Sequence, residues 1–149
     1  MSEMGDVERN IAVVRRLEEA FNRRDYAALR ALVSDDIEAH NPGGSDVTVE
    51  GLQSNNEDWH SALPDKRTEV LDAFGEGDRV VARIRDRGTN TGGVPWFGVP
   101  ANGAVMDVEW LQITRHGGDG RVVEMWALAD VPGLLAQLGA VVVREEDGR

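Results

Sequence analysis

The 149-residue sequence contains no cysteine and little positive charge. The missing cysteines exclude disulfides, thiolate metal sites and cysteine nucleophiles, and they are typical of a cytoplasmic protein. Asp and Glu number 27 against 16 Lys and Arg, which gives a formal net charge of −11. Because nucleic acids and anionic membrane surfaces attract basic proteins, neither is an expected partner. No apolar run approaches the roughly 20 residues of a membrane-spanning helix, and the N-terminus lacks the apolar stretch of a secretory signal.

Several catalytic motifs are also missing: a phosphate-binding glycine loop, a nucleophile elbow and a His-Glu-x-x-His pair. The sequence does contain enough apolar material for one core, since hydrophobic residues make up 41% of it. It has no repeat and no low-complexity linker. We therefore expect one domain over residues 1–149.

The first half of the sequence has the periodicity of helices. One helix is predicted by apolar residues at helical spacing, namely Val7, Ile11, Val14, Leu17 and Phe21. A second, short helix follows Asp25, a residue type that caps helix N-termini. Asp36–Asn41 is predicted to be extended, and a third helix should run from about Glu50 to Leu63.

The second half alternates as strands do. Four strands are predicted, at Thr68–Ala73, Arg79–Arg87, Met106–Arg115 and Arg121–Ala129, and a short helix should follow Pro132. Gly88–Gly103 is predicted to be a loop. Helices followed by strands indicate an α+β fold, in which the helices cover one face of a curved antiparallel sheet.

Both faces of the last predicted hairpin are apolar. One carries Val108, Trp110, Gln112, Thr114, Val123, Met125 and Ala127, and the other Leu111, Ile113, Val122, Trp126 and Leu128. Because the helices cover only one face, the other is expected to form an interface. We therefore predict a homodimer packed sheet to sheet. The alternative is that the chain's own segment Ala140–Val143 covers this face.

The sequence has three histidines, His40, His60 and His116. His116 lies beside the predicted hairpin turn and is expected to be solvated. His40 and His60 flank the Pro42-Gly43-Gly44 break. Two histidines and scattered carboxylates do not have the spacing of a metal site, so no metal is expected.

Polar residues on inward strand faces are the candidate catalytic groups. Asp86 shares the side of Val80, Ala82 and Ile84, where partial desolvation would raise its pKa toward a range useful for proton transfer. The alternative is a strand-end Asp that reaches water. Gln112 is expected to be buried and needs a partner, either a substrate or another side chain.

Asn90 could bind a ligand carbonyl or simply tie the loop that follows it. An apolar cavity for a flat ligand could be walled by Trp59, Trp96, Phe97, Trp110 and Met125. The alternative for each of these side chains is an ordinary place in the core.

An ordered set of segments resembles the SnoaL-like polyketide cyclase family over roughly residues 7–139. The segments are Val14–Asn22, Asp36–Pro42, Gly77–Val80, Gly88–Gly92, Arg115, Asp119–Trp126, Asp130 and Gly133–Gly139. The resemblance implies a cone-shaped α+β barrel of the nuclear-transport-factor-2 type. It also implies binding of a polycyclic ligand inside the barrel, and ring closure by intramolecular aldol condensation without a cofactor. In this family an Asp acts as acid and base, helped by a His and amides.

The resemblance also shows where this sequence departs from the cyclases. The position of the catalytic Asp holds Ala127, and those of the cyclase His and its Gln partner hold about Gln112 and Trp110. A His common in relatives is Asn90 here, and Asn41 matches an Asn near the end of the first strand. If the chain performs aldol chemistry, the base must lie elsewhere, with Asp86 as the first candidate and Asp130 as the second.

These departures fit a hydroxylase-type tailoring step on anthracycline-type polyketides better than aldol closure, although the sequence does not separate the two. In this hypothesis Asp86 is the acid and base, and Asn41, Asn90 and Gln112 orient ligand oxygens. The aromatic set and His40 contact the substrate, and a redox partner protein could assist. Two alternatives remain, a hydrolase or isomerase of another apolar substrate and a non-catalytic binding or dimerisation module.

Overall fold

Helices cover one face of a six-stranded sheet in the computed structural model, which describes residues 3–42 and 46–140. The helices are α1 (Glu3–Arg23), α2 (Tyr26–Leu32), α3 (Val49–Ala62) and α4 (Val131–Leu138), with a 3₁₀ turn at Pro95–Phe97. The strands are β1 (Val33–His40), β2 (Asp46–Val47), β3 (Arg67–Glu76), β4 (Arg79–Thr89), β5 (Val105–His116) and β6 (Val122–Ala129). The α+β fold predicted from the sequence is confirmed.

The sheet has the strand order β2-β1-β6-β5-β4-β3 and does not close between β2 and β3. Neighbouring strands are antiparallel, except that β1 runs parallel to β6. The predicted antiparallel sheet is therefore correct for β3 to β6, and the sequence did not predict the parallel pair. Among the described residues, no helix is both long enough and apolar enough to cross a membrane.

Side-chain caps begin three of the helices. Asp25 accepts a hydrogen bond from the Ala28 N–H at the start of α2, and Thr48 accepts one from the Gly51 N–H at the start of α3. Asp130 accepts one from the Gly133 N–H and caps α4. Asp130, the second candidate for the displaced base, therefore stabilises the exposed N-terminus of a helix.

The buried apolar residues form three clusters along the concave face. One joins α1, α2 and α3 to β1 and β6 and includes Leu17, Leu29 and Met125. A second packs the end of α3 and the β4–β5 loop against Leu138. The third packs Val14 of α1 on β4. Helix α1 therefore lies across the sheet, with buried side chains in two of the three clusters.

A bulge in the β5–β6 hairpin changes the predicted orientation of Val122. The register pairs Arg115 with Glu124 but His116 with Val122, so Val123 is the extra residue. Val122 is fully buried in the first core cluster. The sequence-based placement of Val122 on the outer face is therefore wrong, because strict alternation across the hairpin does not allow for the bulge.

Candidate active site

Seven polar or amphipathic side chains meet on the concave side of the sheet and form what we call the interior polar cluster. They are Glu18 of α1, His60 of α3, Lys66 just before β3, Thr68 of β3, Asp86 of β4, and Trp110 and Gln112 of β5. Strands β3, β4 and β5 are adjacent in the sheet, so their inward side chains converge.

Asp86 points inward, as the alternation of β4 predicts, and three donors surround its carboxylate. The Thr68 hydroxyl donates to Oδ1 at 2.6 Å, and the Trp110 indole N–H donates to Oδ2 at 3.1 Å. The Lys66 ammonium lies 3.8 Å from Oδ2 and also donates to Thr68 at 3.1 Å. The side chains of Lys66 and Asp86 are 9% and 15% exposed, so this ion pair is largely removed from water.

Glu18 is the second carboxyl of the cluster and is in a different environment. It is buried on α1, and it accepts a hydrogen bond from Nε2 of Gln112 at 3.1 Å. Burial is the main cause that raises the pKa of Glu18 to about 7. The hydrogen bond from Gln112 opposes this shift, and the negative charge of Asp86 adds to it. Glu18 can therefore gain or lose a proton near neutral pH.

Among the described residues, two buried polar atoms of the cluster have no hydrogen-bond partner of good geometry, Oε1 of Gln112 and Nε2 of His60, although the His60 ring lies near the Lys66 backbone. The other His60 ring nitrogen, Nδ1, lies 3.0 Å from the Asn56 carbonyl oxygen, and burial lowers the pKa of His60. Leaving a buried polar atom unpaired costs about 1–3 kcal/mol. A bound molecule with a donor for Gln112 Oε1 would remove that cost, so these atoms mark candidate ligand contacts.

A cleft of about 330 Å³ lies between α1 and β3, the strand at one edge of the sheet. Its lining includes Glu18 and Thr68 of the cluster together with four arginines, Arg15, Arg67, Arg85 and Arg87. A second cleft of about 380 Å³ lies beside Trp110 and Leu128. The first cleft connects a buried carboxyl with the surface.

Of the five side chains that were expected to wall an aromatic cavity, Trp110 lines the second cleft and the other four line neither cleft. Trp59 packs edge-on against Trp96 and Phe97, with ring centroids 5.0 and 6.4 Å away, and joins a core cluster. Met125 belongs to another core cluster. Neither cleft is lined by any of these four side chains. They pack against protein, which is the alternative that the sequence analysis left open.

The asparagines differ in their surroundings. Asn90 is fully buried, and its side chain donates to the Pro100 carbonyl and to Asn102 Oδ1 and accepts from the Gly93 N–H. It ties the loop, as one of its two interpretations proposed. Asn41 is half-buried just after β1, and its side chain makes no hydrogen bond to the described residues.

Two histidines occupy places that the sequence analysis did not expect. His40 lies on the outer face, where it stacks on Trp126 and contacts Asp46 and Glu124 at 2.8 and 2.9 Å, so it does not reach the interior cluster. His116 is buried, with contacts of 2.9 Å to the Thr114 hydroxyl and 2.8 Å to the Gly120 carbonyl. The expectation of a solvated His116 is wrong, because the bulged turn folds back over its ring.

The cluster therefore combines three residues that the sequence analysis proposed (Asp86, Trp110 and Gln112) with others that it missed. Glu18 follows Val14 by four positions, so helical spacing places it on the buried side of α1, and this signal was available. Lys66 is the only lysine in the sequence, but its inward orientation depends on the bend that leads into β3. Among the described residues, no three His, Asp or Glu side chains are placed to hold a metal ion.

Comparison with known proteins places these features in a family. The family model described as "SnoaL-like polyketide cyclase" matches residues 11–138. IdmH from Streptomyces antibioticus, "a putative polyketide cyclase", is 32% identical over 87% of this chain and 98% of its own, with a TM-score of 0.77. AclR from Streptomyces galilaeus, "a putative hydroxylase", is 26% identical over 94% of this chain and 87% of its own, with a TM-score of 0.79.

TsrD from Streptomyces laurentii is 27% identical over 90% of this chain and 97% of its own, with a TM-score of 0.78. No curated protein matches the sequence. The family match covers most of the chain, including every strand from β3 to β6 and the residues of the interior polar cluster. The chain belongs to the SnoaL-like polyketide cyclase family.

Proposed function

We propose that this protein is a tailoring enzyme for an aromatic, anthracycline-type polyketide and that it moves protons with Asp86 and Glu18. The observation that carries this proposal is a pair of inward carboxyls in unlike surroundings. Three donors hold Asp86, whereas Glu18 is buried and accepts one hydrogen bond, from Gln112. Two carboxyls whose environments differ in this way can take the roles of base and acid in one reaction.

Ring closure by aldol addition suits such a pair. Asp86 takes the proton from a carbon between two carbonyl groups. The resulting enolate forms a carbon–carbon bond to the carbon of a third carbonyl group elsewhere in the substrate. The π bond of that carbonyl becomes an alkoxide, which receives its proton from protonated Glu18. The product is an isomer of the substrate, and no electrons enter or leave. Gln112 Oε1 and His60 Nε2, the unpartnered atoms, would contact substrate hydroxyl or carbonyl groups.

The register of the hairpin supports a relocated carboxyl. The resemblance to the cyclases assigns the usual catalytic Asp to the position of Ala127, which is paired with Gln112 across β5 and β6. Glu18 contacts the same Gln112 from α1. The Glu18 carboxyl of α1 therefore contacts Gln112, and Gln112 is paired with Ala127, the position at which the resemblance assigns the catalytic Asp.

Hydroxylation is the second candidate, and the similarity to AclR favours it. That reaction would replace a C–H hydrogen with a hydroxyl group that carries one oxygen atom of O₂, reduce the other oxygen atom to water, and require two electrons from a reductase partner and two protons from solvent. The two candidates share proton abstraction from the polyketide as their first step. They differ in product, because only hydroxylation adds an oxygen atom.

The test uses an anthraquinone whose additional ring is not yet closed and which carries a β-keto ester and a neighbouring ketone. In D₂O, deuterium exchange at the carbon between the two ester-side carbonyls reports proton abstraction, and mass spectrometry separates an isomeric product from one with added oxygen. We expect Asp86→Asn to lower exchange by about a hundredfold or more, and Glu18→Gln to lower ring closure by a similar factor.

The pH profile distinguishes a proton donor from a structural residue. Because burial raises the pKa of Glu18 to about 7, ring closure in the parent should slow as the pH rises through about 7. Glu18→Gln should not show this decline, and Glu8→Gln, which changes an exposed residue of the same helix, should match the parent. Turnover within a few-fold of the parent in both carboxyl variants would refute the proposal.

A further inference from the structure

Four of the chain's arginines line the cleft between α1 and β3, although the chain as a whole carries a formal net charge of −11. Two of them are already engaged. Arg85 donates twice to Asp107, at 2.8 and 2.7 Å, and Arg67 lies 3.6 Å from Glu19. Arg15 and Arg87 are exposed and make no hydrogen bond or close ion pair with the described residues. Arg87 stands opposite Asp107 in the register of β4 and β5 and interacts with its charge, but both oxygens of Asp107 are bonded to Arg85. Among the described residues, the cleft thus has two guanidinium groups that no carboxylate binds directly.

The acidic residues of the cleft do not cancel these two charges directly. Glu19 is bound by Arg23 at 3.2 Å as well as by Arg67, and Glu69 stands opposite Arg85 in the register of β3 and β4. Glu18 is the third acidic residue, and its buried carboxyl faces Gln112. The planar guanidinium group binds carboxylates through two parallel hydrogen bonds, which makes free arginines in a concave site suited to that ligand.

The backbone around the cleft is fixed by a reciprocal pair of hydrogen bonds. The Asn22 amide donates to the Thr68 carbonyl at 2.8 Å, and the Thr68 N–H donates to Asn22 Oδ1 at 2.8 Å. This pair joins α1 to β3, so the cleft keeps its width without a ligand, and less free energy is needed to order it on binding. Its volume of about 330 Å³ is in the range of small-molecule sites.

We infer that the α1–β3 cleft binds an aromatic carboxylate, with Arg15 and Arg87 holding the carboxylate group and the ring directed toward Glu18 and Thr68. The inference rests on the proposed function for the substrate class and deepens it, because it assigns to the polyketide a free carboxylate that this cleft recognises. It does not depend on turnover, since it concerns binding alone.

The test measures binding of anthraquinone-2-carboxylic acid by isothermal titration calorimetry. The matched neutral probe is anthraquinone-2-carboxamide, which has nearly the same shape without the charge. We expect the acid to bind about tenfold more tightly than the amide to the parent protein, and added salt to narrow this difference. The acid should also shift the NMR signal of the Asn22 side-chain amide, which lines the cleft.

Substitutions then assign the selectivity to the cleft. Arg15→Gln and Arg87→Gln should each weaken binding of the acid by about fivefold to tenfold and leave the amide unchanged. Arg16→Gln removes the same charge from the next position of α1, outside the cleft, and should bind like the parent. Equal binding of acid and amide, binding of neither, or an equal loss in Arg16→Gln would overturn the inference.

The outcomes separate this inference from the proposed function. Charge-selective binding that persists in a protein without deuterium exchange or ring closure would refute the catalytic proposal and leave the cleft assignment in place. Ring closure with no selectivity between acid and amide would do the reverse.

Discussion

The protonation state of Glu18 is set mainly by its burial. Removal from water disfavours the carboxylate, and the nearby charge of Asp86 acts in the same direction. Gln112 donates to Oε2 and Lys66 adds positive charge, but together they do not offset the effect of burial. A carboxyl that is ionised in the unfolded chain and largely protonated in the folded chain couples the free energy of unfolding to pH.

The stability of the fold should therefore depend on the proton that Glu18 carries. The pKa of Glu18 is raised from 4.5 to about 7, so the folded state binds more protons between these values. The contribution of Glu18 to the free energy of unfolding should therefore be fully present below pH 4.5 and should be lost, by about 3 kcal/mol in all, as the pH rises through about 7, at about 1.4 kcal/mol for each pKa unit. Glu18→Gln has no carboxyl that titrates at this position, so its free energy of unfolding should rise relative to that of the parent as the pH rises.

Urea unfolding of both proteins at about pH 5 and about pH 8 provides the measurement. His60 and His116, whose pKa values burial lowers, titrate in both proteins, so their contributions cancel in the difference. Glu8→Gln should follow the parent at both pH values. A difference between Glu18→Gln and the parent that stays constant with pH would show that the Glu18 carboxyl is not held protonated.

At the scale of residues, sequence patterns predicted the direction in which side chains point better than they predicted the residues that those side chains contact. Alternation correctly placed Asp86, Trp110 and Gln112 on the inward face, because the period of a strand fixes the side from which a side chain projects. It did not identify Glu18 as the partner of Gln112, since that contact joins residues 94 positions apart. The position of His116 beside the hairpin turn wrongly predicted a solvated ring, because the contacts of that ring depend on a bulge.

At the scale of elements, Asn90 organises the loop between β4 and β5. Its side chain makes hydrogen bonds with the Gly93 N–H, the Pro100 carbonyl and Asn102. A single amide therefore connects three parts of the loop formed by residues 90–104. Asn102 in turn donates to the Leu138 carbonyl at the end of α4. The same loop carries Trp96, which packs on Trp59 of α3. The loop therefore contacts α3 through Trp96 and α4 through Asn102, while the Asn90 amide holds the loop itself together.

Asn90→Ala should lower the free energy of unfolding by about 2 kcal/mol, because buried groups of the loop lose their partners. Trp96, which is 42% exposed, should become more accessible to a quencher such as acrylamide as the loop loosens. Thermal unfolding and tryptophan quenching measure the two effects. Asn55→Ala, an exposed change on α3, should cause neither. Unchanged stability in Asn90→Ala would favour the other interpretation, in which Asn90 serves a ligand.

The elements themselves were predictable where the signal is local. Helical spacing and capping residues located α1 and α2, and alternation located β4, β5 and β6 to within a few residues. The parallel pairing of β1 with β6 was not predictable in the same way, because it joins segments about 85 positions apart and has no local pattern. The two-residue strand β2 is too short to show a period.

At the scale of the whole molecule, the outer face of the sheet carries an apolar band. Phe74, Val81, Ile113 and Trp126 are in register across β3, β4, β5 and β6. Leu111 and Leu128, paired in the next row, are 46% and 65% exposed. The alternative prediction was that the segment Ala140–Val143 covers this face. Residues 141–143 of that segment lie outside the described residues. Ion pairs border the band, including Arg83 with Glu109 at 2.8 Å and Arg115 with Glu124 at 3.1 Å.

We propose that this band is the interface of a homodimer packed sheet to sheet, as an apolar centre with a charged rim is typical of such interfaces. The parent should have the mass of a dimer in light scattering at micromolar concentration. Leu111→Arg should give monomers, because two copies of the new charge would meet without partners at the centre. Val105→Arg changes another exposed apolar residue of the same face, six positions along β5 and outside the band, and should remain dimeric. A monomeric parent, or a dimer that survives Leu111→Arg, would show that copies of this chain do not pair through this face.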